Sequence, residues 1–279
     1  MLVQPPGYPH SQALLEAGEY LQAQIIAAGH PCQTLVNGLE ASRRNIILGG
    51  HLLSARNAAL LPAGSIVFNS EQLDNEATWT QHSGAYREVL NRHWVWEYSS
   101  ANLPLLGHRR ADVIPFLFNR RLRRPGAGLA ADGPLLFYGA LTPRREALLA
   151  QLRAAGLAVE TLFGVYGAAR DAVLFRSLAV LNLHNRDDAR QFEPLRCFYP
   201  LINGVPVFSE ACPEDPTAAD FRPALFESPA EGFAASVATW LADRPAFLRE
   251  AGRRTALFSR TDASRPIRRA LARYLAATG

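Results

Sequence analysis

Short apolar runs alternate along the chain with longer stretches in which apolar residues recur at helical spacing. The runs predict strands at 2–4, 32–36, 45–49, 65–69, 94–98, 112–117, 135–138, 157–162, 178–183 and 205–208. The longer stretches predict helices at 12–29, 143–155, 166–176 and 191–203, and a helix-rich region after residue 228 that ends with a helix at 262–277. This alternation is typical of α/β proteins with mostly parallel sheets.

The alternation is interrupted once, at an arginine-, glycine- and proline-rich segment, 119–134, which we interpret as a linker. The predicted domains are therefore an N-terminal lobe at 1–118, a C-terminal lobe at 135–260 and a terminal helix at 261–279. The predicted fold class is α/β, with two Rossmann-like lobes facing across a cleft and a helical C-terminal tail. Ligands of such sheets bind at the carboxyl ends of the strands.

Composition excludes several chemistries. All 29 basic residues are arginines, so Schiff-base chemistry, a lysine-containing P-loop and a kinase-type lysine are ruled out. Anionic ligands must be bound by arginine, backbone N–H groups or neutral donors. The three cysteines and seven histidines lack metal-ligand spacing, so no metal is predicted. The chain also lacks a recognisable secretion signal and a membrane-spanning run, and we expect a cytoplasmic protein.

Polar residues directly follow the predicted strands of the first lobe. His10, between the first strand and the first helix, is a candidate general base or a turn residue without a role. Glu71 is a candidate to orient His10 or to act as the base itself, although the first turn of a helix would explain it equally well. The candidate acceptor-binding residues are Asn69, Gln72, Glu97, Tyr98 and Asn102.

The second lobe carries glycine turns and arginines at the same kind of position. A glycine before a helix N-terminus allows a phosphate to approach the backbone, although ordinary turn geometry also explains such glycines. Glu193 and Arg196 lie on one helical face, where an exposed ion pair is the alternative to ligand binding. The candidate donor-binding residues are Gly139, Arg144, Tyr166, Gly167, Arg170, Asn182, His184, Glu193 and Arg196.

Six arginines are concentrated between residues 109 and 124. Such a cluster attracts an anionic membrane surface, a nucleic acid or an acidic acceptor. No nucleic-acid-binding signature accompanies it, so a solvated linker is the favoured interpretation and peripheral membrane contact stays open.

Several blocks together resemble a known family. They are Phe68–Leu73, Val95–Ser99 with Asn102, Phe137–Gly139, Phe163–Gly167 with Arg170, Leu181–His184, Phe192-Glu193 with Arg196, and Val207–Glu210. This set resembles bacterial glycosyltransferase-like proteins of the GT-B fold, with the C-terminal donor domain of families 1 and 4.

The resemblance implies a metal-independent enzyme that transfers a sugar from a nucleotide-diphosphate sugar to a hydroxyl acceptor and needs no other cofactor. The acceptor, whether glycan, lipid-linked or protein, stays open. Tyr199 stands five positions before Gly204, where retaining members carry a glutamate, so an inverting mechanism is expected. The alternatives are a GT-B nucleotide-sugar epimerase, a non-catalytic nucleotide-sugar or glycan-binding module and, as the least favoured, a nucleic-acid binder.

Overall fold

The computed structural model describes residues 1–74, 85–107, 110–189 and 191–279. These residues divide into two compact units. Unit 1 comprises Met1–Phe116 and Ala263–Gly279, and unit 2 comprises Leu117–Asp262. The predicted linker 119–134 thus lies within unit 2, and the C-terminal helix, predicted as a separate tail, lies within unit 1. Whether the predicted boundaries delimit independently folding domains stays a prediction.

The strands are β1 (Ile46–Leu48), β2 (Ile66–Asn69), β3 (Trp94–Glu97), β4 (Ala111–Val113), β5 (Leu135–Tyr138), β6 (Val159–Leu162), β7 (Ala179–Asn182), β8 (Val207–Glu210) and β9 (Leu225–Ser228). The α-helices are α1 (Leu15–Ala27), α2 (Ala55–Ala59), α3 (Ala85–Arg92), α4 (Pro143–Ala154), α5 (Gly167–Leu174), α6 (Pro194–Ile202), α7 (Phe233–Ala242), α8 (Arg244–Phe258) and α9 (Ser264–Thr278). Short 3-10 helices are Pro9–Leu14, Gly50–Leu52, Ser100–Leu105, Arg120–Leu122, Pro216–Asp220 and Arg222–Ala224.

Unit 1 contains a parallel sheet with the order β1-β2-β3-β4. Leu2 extends it beyond β1 through single parallel bridges to Leu48 and Val36. One face of the sheet packs Val67 and its neighbours against α2 and α3. On the other face, residues of α1 and α9 make aromatic contacts. Tyr20 stacks on Phe116 and Tyr274 meets Trp94 edge to face.

Unit 2 contains a parallel sheet with the order β6-β5-β7-β8-β9. Its core joins Phe137, Leu181 and Phe208 of the strands to helix residues such as Phe233 and Phe247. Helix α4 begins where Thr142 caps the backbone N–H of Arg145 and Pro143 occupies the first helical position. Pro at that position is favoured because its missing N–H has no partner there in any case.

Several predicted elements differ from the structure. The strand 2–4 is reduced to the bridges of Leu2, and the strand 112–117 ends at Val113. The strand 32–36 is reduced to the bridge at Val36, because Asn37 adopts a left-handed conformation (φ 52°) that ends the extended segment. The helix 12–29 starts with the 3-10 turn Pro9–Leu14 and becomes α-helical at Leu15. The helix 191–203 begins only at Pro194. Strand β9 was not predicted.

The segment 119–134 is held within unit 2 by Asn203. The side-chain oxygen of Asn203 accepts a hydrogen bond from the backbone N–H of Arg124, and the side-chain amide of Asn203 donates to the carbonyl of Leu122. Leu122 is 1% exposed. Arg109 lies outside the described residues, while Arg120, like Arg121, is exposed.

Candidate functional site

The strand order of unit 2 identifies a ligand-binding edge. From β5 the chain moves outward to β6, then returns to the other side of β5 for β7, β8 and β9. The crevice at such a reversal, outside the carboxyl ends of the strands, is where open parallel sheets bind ligands. Here it lies between the ends of β5 and β7, at Gly139 and Asn182.

Arg196 of α6 reaches this crevice. Its Nη1 donates to Oδ1 of Asn182 over 2.9 Å and to the carbonyl of Leu183 over 3.4 Å. Its Nη2 is the atom that a side chain at Gly139 would meet first, at 3.4 Å. Gly139 has a φ of 140°, a conformation that L side chains rarely adopt, so glycine keeps the backbone there accessible. Tyr138 fixes the base of this arrangement by donating to the carbonyl of Arg196 over 2.8 Å.

Arg145, which follows Arg144 on α4, provides a second cation at the edge. Its guanidinium donates to the carbonyls of Leu183 and Ala140. The pKa of Arg145 is lowered to about 9, chiefly by burial and also by the nearby charge of Arg196, while Glu193 and Glu210 act in the opposite direction. Two guanidinium groups are therefore held close together at the carboxyl ends of β5 and β7.

Arg144, the neighbouring residue, is already neutralised. Its Nη2 lies 2.6 Å from Oε1 of Glu210, and its Nη1 lies 2.9 Å from Oε2 of the same residue. Nε of Arg144 donates a further hydrogen bond to the carboxylate of Asp187. Because fork-shaped pairing with a carboxylate is the strongest interaction available to arginine, Arg144 acts here first as a structural cation.

Arg170 is likewise committed to a local cluster. It pairs with the carboxylate of Asp171 at 2.7 Å and lies over the ring of Tyr199, 4.6 Å from its centroid. The hydroxyl of Tyr199 donates to Asp171. Tyr166 and Gly167, predicted with Arg170, are half-buried at the N-terminus of α5.

His184 follows β7 at the same edge. Its backbone N–H donates to Glu210, and its carbonyl accepts from Arg144. Burial lowers the pKa of the imidazole, as do the charges of the nearby arginines, so the ring is neutral at physiological pH. Nε2 is buried and has no hydrogen-bond partner within the described parts of the chain.

In unit 1 the predicted acceptor residues form a buried network centred on Glu97. Oε1 accepts bonds from Asn102, from the backbone of Tyr98 and from Ser99, at 2.8, 2.9 and 3.3 Å. Oε2 accepts from Asn69 at 2.8 Å. The side chains of Asn69, Glu97, Tyr98 and Asn102 are 0% exposed. Their contact with an acceptor stays a prediction, and the structure gives them the role of joining the loops after β2 and β3.

Glu97 is unusual for a carboxyl group. Burial raises its pKa to about 8, although hydrogen bonds from Asn102, Asn69 and two backbone N–H groups lower it. Burial also raises the pKa of Tyr86, whose hydroxyl donates to Asn69. Gln72, the fifth predicted acceptor residue, is buried at 8% exposure beside this network.

A histidine–carboxylate pair lies at the end of β1 and β2. Nδ1 of His51 is 3.2 Å from Oε1 of Glu71, and the two side chains are 10% and 26% exposed. Burial lowers the pKa of His51 to about 4, so the imidazole is neutral. His51 was not predicted as a site residue. The signal was its position, since it follows the predicted strand 45–49 as Glu71 follows the predicted strand 65–69.

His10 lies in the 3-10 turn Pro9–Leu14 and is half-buried. Its ring contacts Tyr8 edge to face, with centroids 5.3 Å apart. Its role as a base is untested by this geometry. Among the described residues no three His, Cys, Asp or Glu side chains are grouped to hold a metal ion.

The predicted donor residues therefore fall into distinct groups. Gly139, Asn182 and Arg196 meet at the crevice, together with Arg145 and beside His184. Gly167 and Arg170 belong to α5, and Tyr166 directly precedes it. Glu193 precedes α6 and is half-buried.

Comparison with known proteins identifies the fold. Over 95% of this chain and 80% of the other, the structure is similar to sucrose-phosphate synthase from Thermosynechococcus elongatus, with a TM-score of 0.51 and 14% identity. It is also similar to WaaG, a glycosyltransferase involved in lipopolysaccharide biosynthesis, with a TM-score of 0.48, 12% identity and coverage of 96% and 84%. The fold is α/β with two parallel sheets, of the GT-B type, as predicted.

The related sequences are viral. The chain is 27% identical over 150 residues to uncharacterized protein L138 of Acanthamoeba polyphaga mimivirus and 24% identical over 150 residues to uncharacterized protein L140 of the same virus. The match covers 52% of this chain but only 17% of L138 and 48% of L140. No family model matches the chain. The bacterial, family 1 and family 4 assignments stay predictions.

No helix within the described residues is both long enough and apolar enough to cross a lipid bilayer.

Proposed function

We propose that the protein is a glycosyltransferase that binds the diphosphate of a nucleotide sugar at the carboxyl ends of β5 and β7. The observation that carries this proposal is Arg196. Within the described residues its guanidinium hydrogen-bonds only neutral oxygen atoms, those of Asn182 and Leu183. Its positive charge is therefore available to an anion, and the backbone at Gly139 lies directly beside it.

Arg145 strengthens the preference for an anion without touching it. The residue is 6% exposed and its guanidinium faces backbone carbonyls. The two nearby cations repel each other, and a phosphate group that binds Arg196 relieves this repulsion. Arg144 and Arg170, each paired with a carboxylate, contribute position rather than charge.

The exposed ends of neighbouring loops suit the rest of a nucleotide. Leu141 follows Gly139 and is 45% exposed, and Phe163 follows β6 and is 59% exposed. Exposed apolar side chains next to an anion site supply the kind of surface on which a base or a ribose packs. Neutral His184 has a buried Nε2 with no partner in the described chain, and that atom can bond to a hydroxyl or phosphate oxygen.

The reaction that follows is a direct displacement. The acceptor oxygen forms a bond to the anomeric carbon, its proton passes to a base, and the bond between that carbon and the diphosphate oxygen breaks. The nucleoside diphosphate leaves with the bonding electrons, and Arg196 and Arg145 stabilise the charge that develops on it. In this proposal the cations of the chain take the place of a metal ion.

The candidate bases are His10 and Glu71. Glu71 is the better placed of the two for a relay, because its carboxylate lies beside the neutral imidazole of His51. A carboxylate this close to a neutral imidazole favours the tautomer that carries its proton on Nδ1. We place the reaction in the cytoplasm, where the three free cysteines stay reduced.

The test is isothermal titration calorimetry with UDP, GDP, dTDP and CMP. One nucleoside diphosphate should bind selectively, and Arg196→Gln should weaken it about 10- to 100-fold, as expected for a lost charged hydrogen bond. Arg153→Gln is the matched control, because Arg153 is exposed and contacts only the carbonyl of Val159 within the described residues. Binding unchanged in Arg196→Gln, with the fold preserved by circular dichroism, would contradict the proposed site.

One observation favours a second candidate function. Four of the five predicted acceptor side chains are completely buried, which leaves fewer groups at the end of β2 and β3 to hold an acceptor. A nucleotide-sugar-binding module without transferase activity would tolerate this. Selective binding without turnover over a panel of glycan, lipid-linked and peptide acceptors would support the module, and an isomerised donor as sole product would indicate an epimerase.

A further inference from the structure

Unit 1 contains a cavity of about 290 Å³ on the sheet face covered by α1 and α9. Its floor consists of Leu2, Ile46 and Ile66, and its walls include Leu21 of α1 and Leu271 of α9. All five side chains are apolar, and four are buried while Ile46 is half-buried. Its volume is near the lower end of the ~300–1,000 Å³ that is usual for small-molecule sites.

The cavity is separate from the candidate functional edges. Ile46 and Ile66 are the first residues of β1 and β2, whereas the pair of His51 and Glu71 follows the carboxyl ends of those strands. With a rise of about 3.3 Å per residue, the two ends of β2 are roughly 10 Å apart. The cavity therefore lies at the opposite end of the sheet of unit 1 from the pair of His51 and Glu71.

An irregular segment, 30–45, covers the cavity. Within it Cys32 and Leu35 are half-buried, while His30 and Gln33 are exposed at the rim. The cover is attached to α1 through Gln22, which donates to the carbonyl of Cys32. Because few backbone bonds hold this segment, it can admit a ligand more easily than a helix or strand would.

The charges at the rim are predominantly positive. Arg44 lines the cavity with its guanidinium 5.7 Å from the centroid of Tyr274 and donates to the carbonyl of Thr278. Arg43 lies 3.7 Å from Glu40, and both of these side chains are exposed by more than 40%. An exposed pair of this kind is weak. Arg44, which lines the cavity, has no carboxylate partner among the described residues and donates only to the carbonyl of Thr278.

We infer that this cavity binds an apolar organic anion, with its aliphatic or aromatic body between α1, α9 and the sheet and its acidic head at Arg44. The apolar walls exclude a purely polar metabolite, because its hydrogen-bonding groups would be buried without partners. The guanidinium, held in place by the ring of Tyr274, suits a carboxylate, which arginine binds through two parallel hydrogen bonds. A ligand that spans α1 and α9 ties the C-terminal helix to the rest of unit 1.

Cys32 gives the cavity a built-in reporter. It lines the cavity and is half-buried, whereas Cys197 and Cys212 are 0% and 2% exposed in unit 2. A thiol reagent should therefore modify Cys32 faster than the other two cysteines, and Cys32→Ser should abolish this fast phase of the modification. A ligand that fills the cavity shields this thiol, so the rate of modification measures occupancy.

The experiment compares three probes of equal chain length on the full chain, each below its micelle concentration: decanoate, decanol and decyltrimethylammonium. Decanoate should slow the modification of Cys32 at least threefold and raise the melting temperature, decanol should do so more weakly, and the cation should have no effect. Equal protection by the anion and the cation would overturn the assignment of an anionic ligand. Absence of protection by all three would overturn the site.

Two variants locate the effect. Leu275→Trp fills the cavity from α9, while Ala272→Trp adds the same ring on an exposed part of that helix outside the cavity. Decanoate protection should disappear in the first variant and persist in the second.

A third variant tests the cation. Arg44→Gln should weaken the binding of decanoate about tenfold and leave the binding of decanol unchanged. An unchanged affinity for decanoate would contradict the role of Arg44. Nucleotide binding by unit 2 should be the same in all these variants.

Discussion

The guanidinium of Arg144 contacts two carboxylates that differ chiefly in burial. Glu210 is 1% exposed and accepts two bonds from Arg144, whereas Asp187 is 93% exposed and accepts one over 2.6 Å. The two partners therefore allow a direct measurement of how burial sets the energy of an ion pair around one shared cation. We expect Glu210→Gln to be strongly destabilising and Asp187→Asn to be nearly neutral.

The magnitudes follow from the contacts. Exposed pairs contribute about 0–1 kcal/mol, so Asp187→Asn should lower the free energy of unfolding by less than about 1 kcal/mol. Removing one partner of a buried pair costs about 3–5 kcal/mol, because the remaining charge is left in a poorly solvated place. Glu210 also accepts the backbone N–H of His184. Glutamine keeps one acceptor oxygen for these donors, which reduces the expected loss in Glu210→Gln to about 3 kcal/mol.

The assay is equilibrium urea denaturation followed by circular dichroism, with hydrogen exchange of the peptides that contain α4 and β8 to assign the loss to unit 2. In Glu210→Gln the amides of β8 should exchange faster, while those of unit 1 should be unchanged. Equal losses in the two variants would refute the reasoning that burial decides, and so would a loss in Asp187→Asn above 2 kcal/mol.

Two further predictions concern single positions. Gly133→Ala should lower the free energy of unfolding by about 4 kcal/mol in urea titrations, because φ is 128° and a Cβ would collide with the carbonyl of Arg176. Gly126 has a φ of 76° but open space around it, so Gly126→Ala should lower the free energy of unfolding by only about 1 kcal/mol. Equal losses in the two variants would contradict the collision. Burial raises the pKa of Glu97 from its usual 4.5 to about 8. The contribution of the protonated side chain to the free energy of unfolding is therefore complete below pH 4.5 and is lost as the pH rises through 8. The stability of the wild type should therefore fall between about pH 5 and 8 more steeply than that of Glu97→Gln. Parallel profiles in thermal melts at several pH values would argue against this titration.

The central strands of unit 2, β5, β7 and β8, were predictable because their residues are buried on both faces of the sheet. The run at 135–138 coincides with β5, and 178–183 contains β7. Buried parallel strands appear as continuous apolar runs. Strand β9 escaped prediction because Glu227 and Ser228, its last two residues, are half-buried at the edge of the sheet, and a run with only two apolar residues carries too little signal.

The arginines show what a sequence leaves undetermined. Arg144 and Arg145 are adjacent on α4, and the sequence analysis selected the first for the diphosphate. Consecutive residues on a helix project about 100° apart, so one side chain reaches Glu210 while the other faces the carbonyls of Ala140 and Leu183. Which arginine keeps an uncompensated charge depends on the carboxylate brought near by β8, and β8 lies more than 60 residues away in the sequence.

The polar residues at the end of β2 also could not be distinguished from the sequence. One rule, that polar residues after a parallel strand lie at the ligand-binding edge, selects Asn69, Glu71 and Glu97 alike. The structure separates them by burial, since Asn69 and Glu97 bind each other while the carboxylate of Glu71 remains partly exposed beside His51. The buried carboxyl group of Glu97 already accepts four N–H groups and cannot contact an acceptor without losing some of those bonds. Under the proposed function we therefore expect His51 and Glu71, and not Glu97, to face an acceptor at this edge. The sequence specifies that pair only through contacts between residues that lie far apart in the chain.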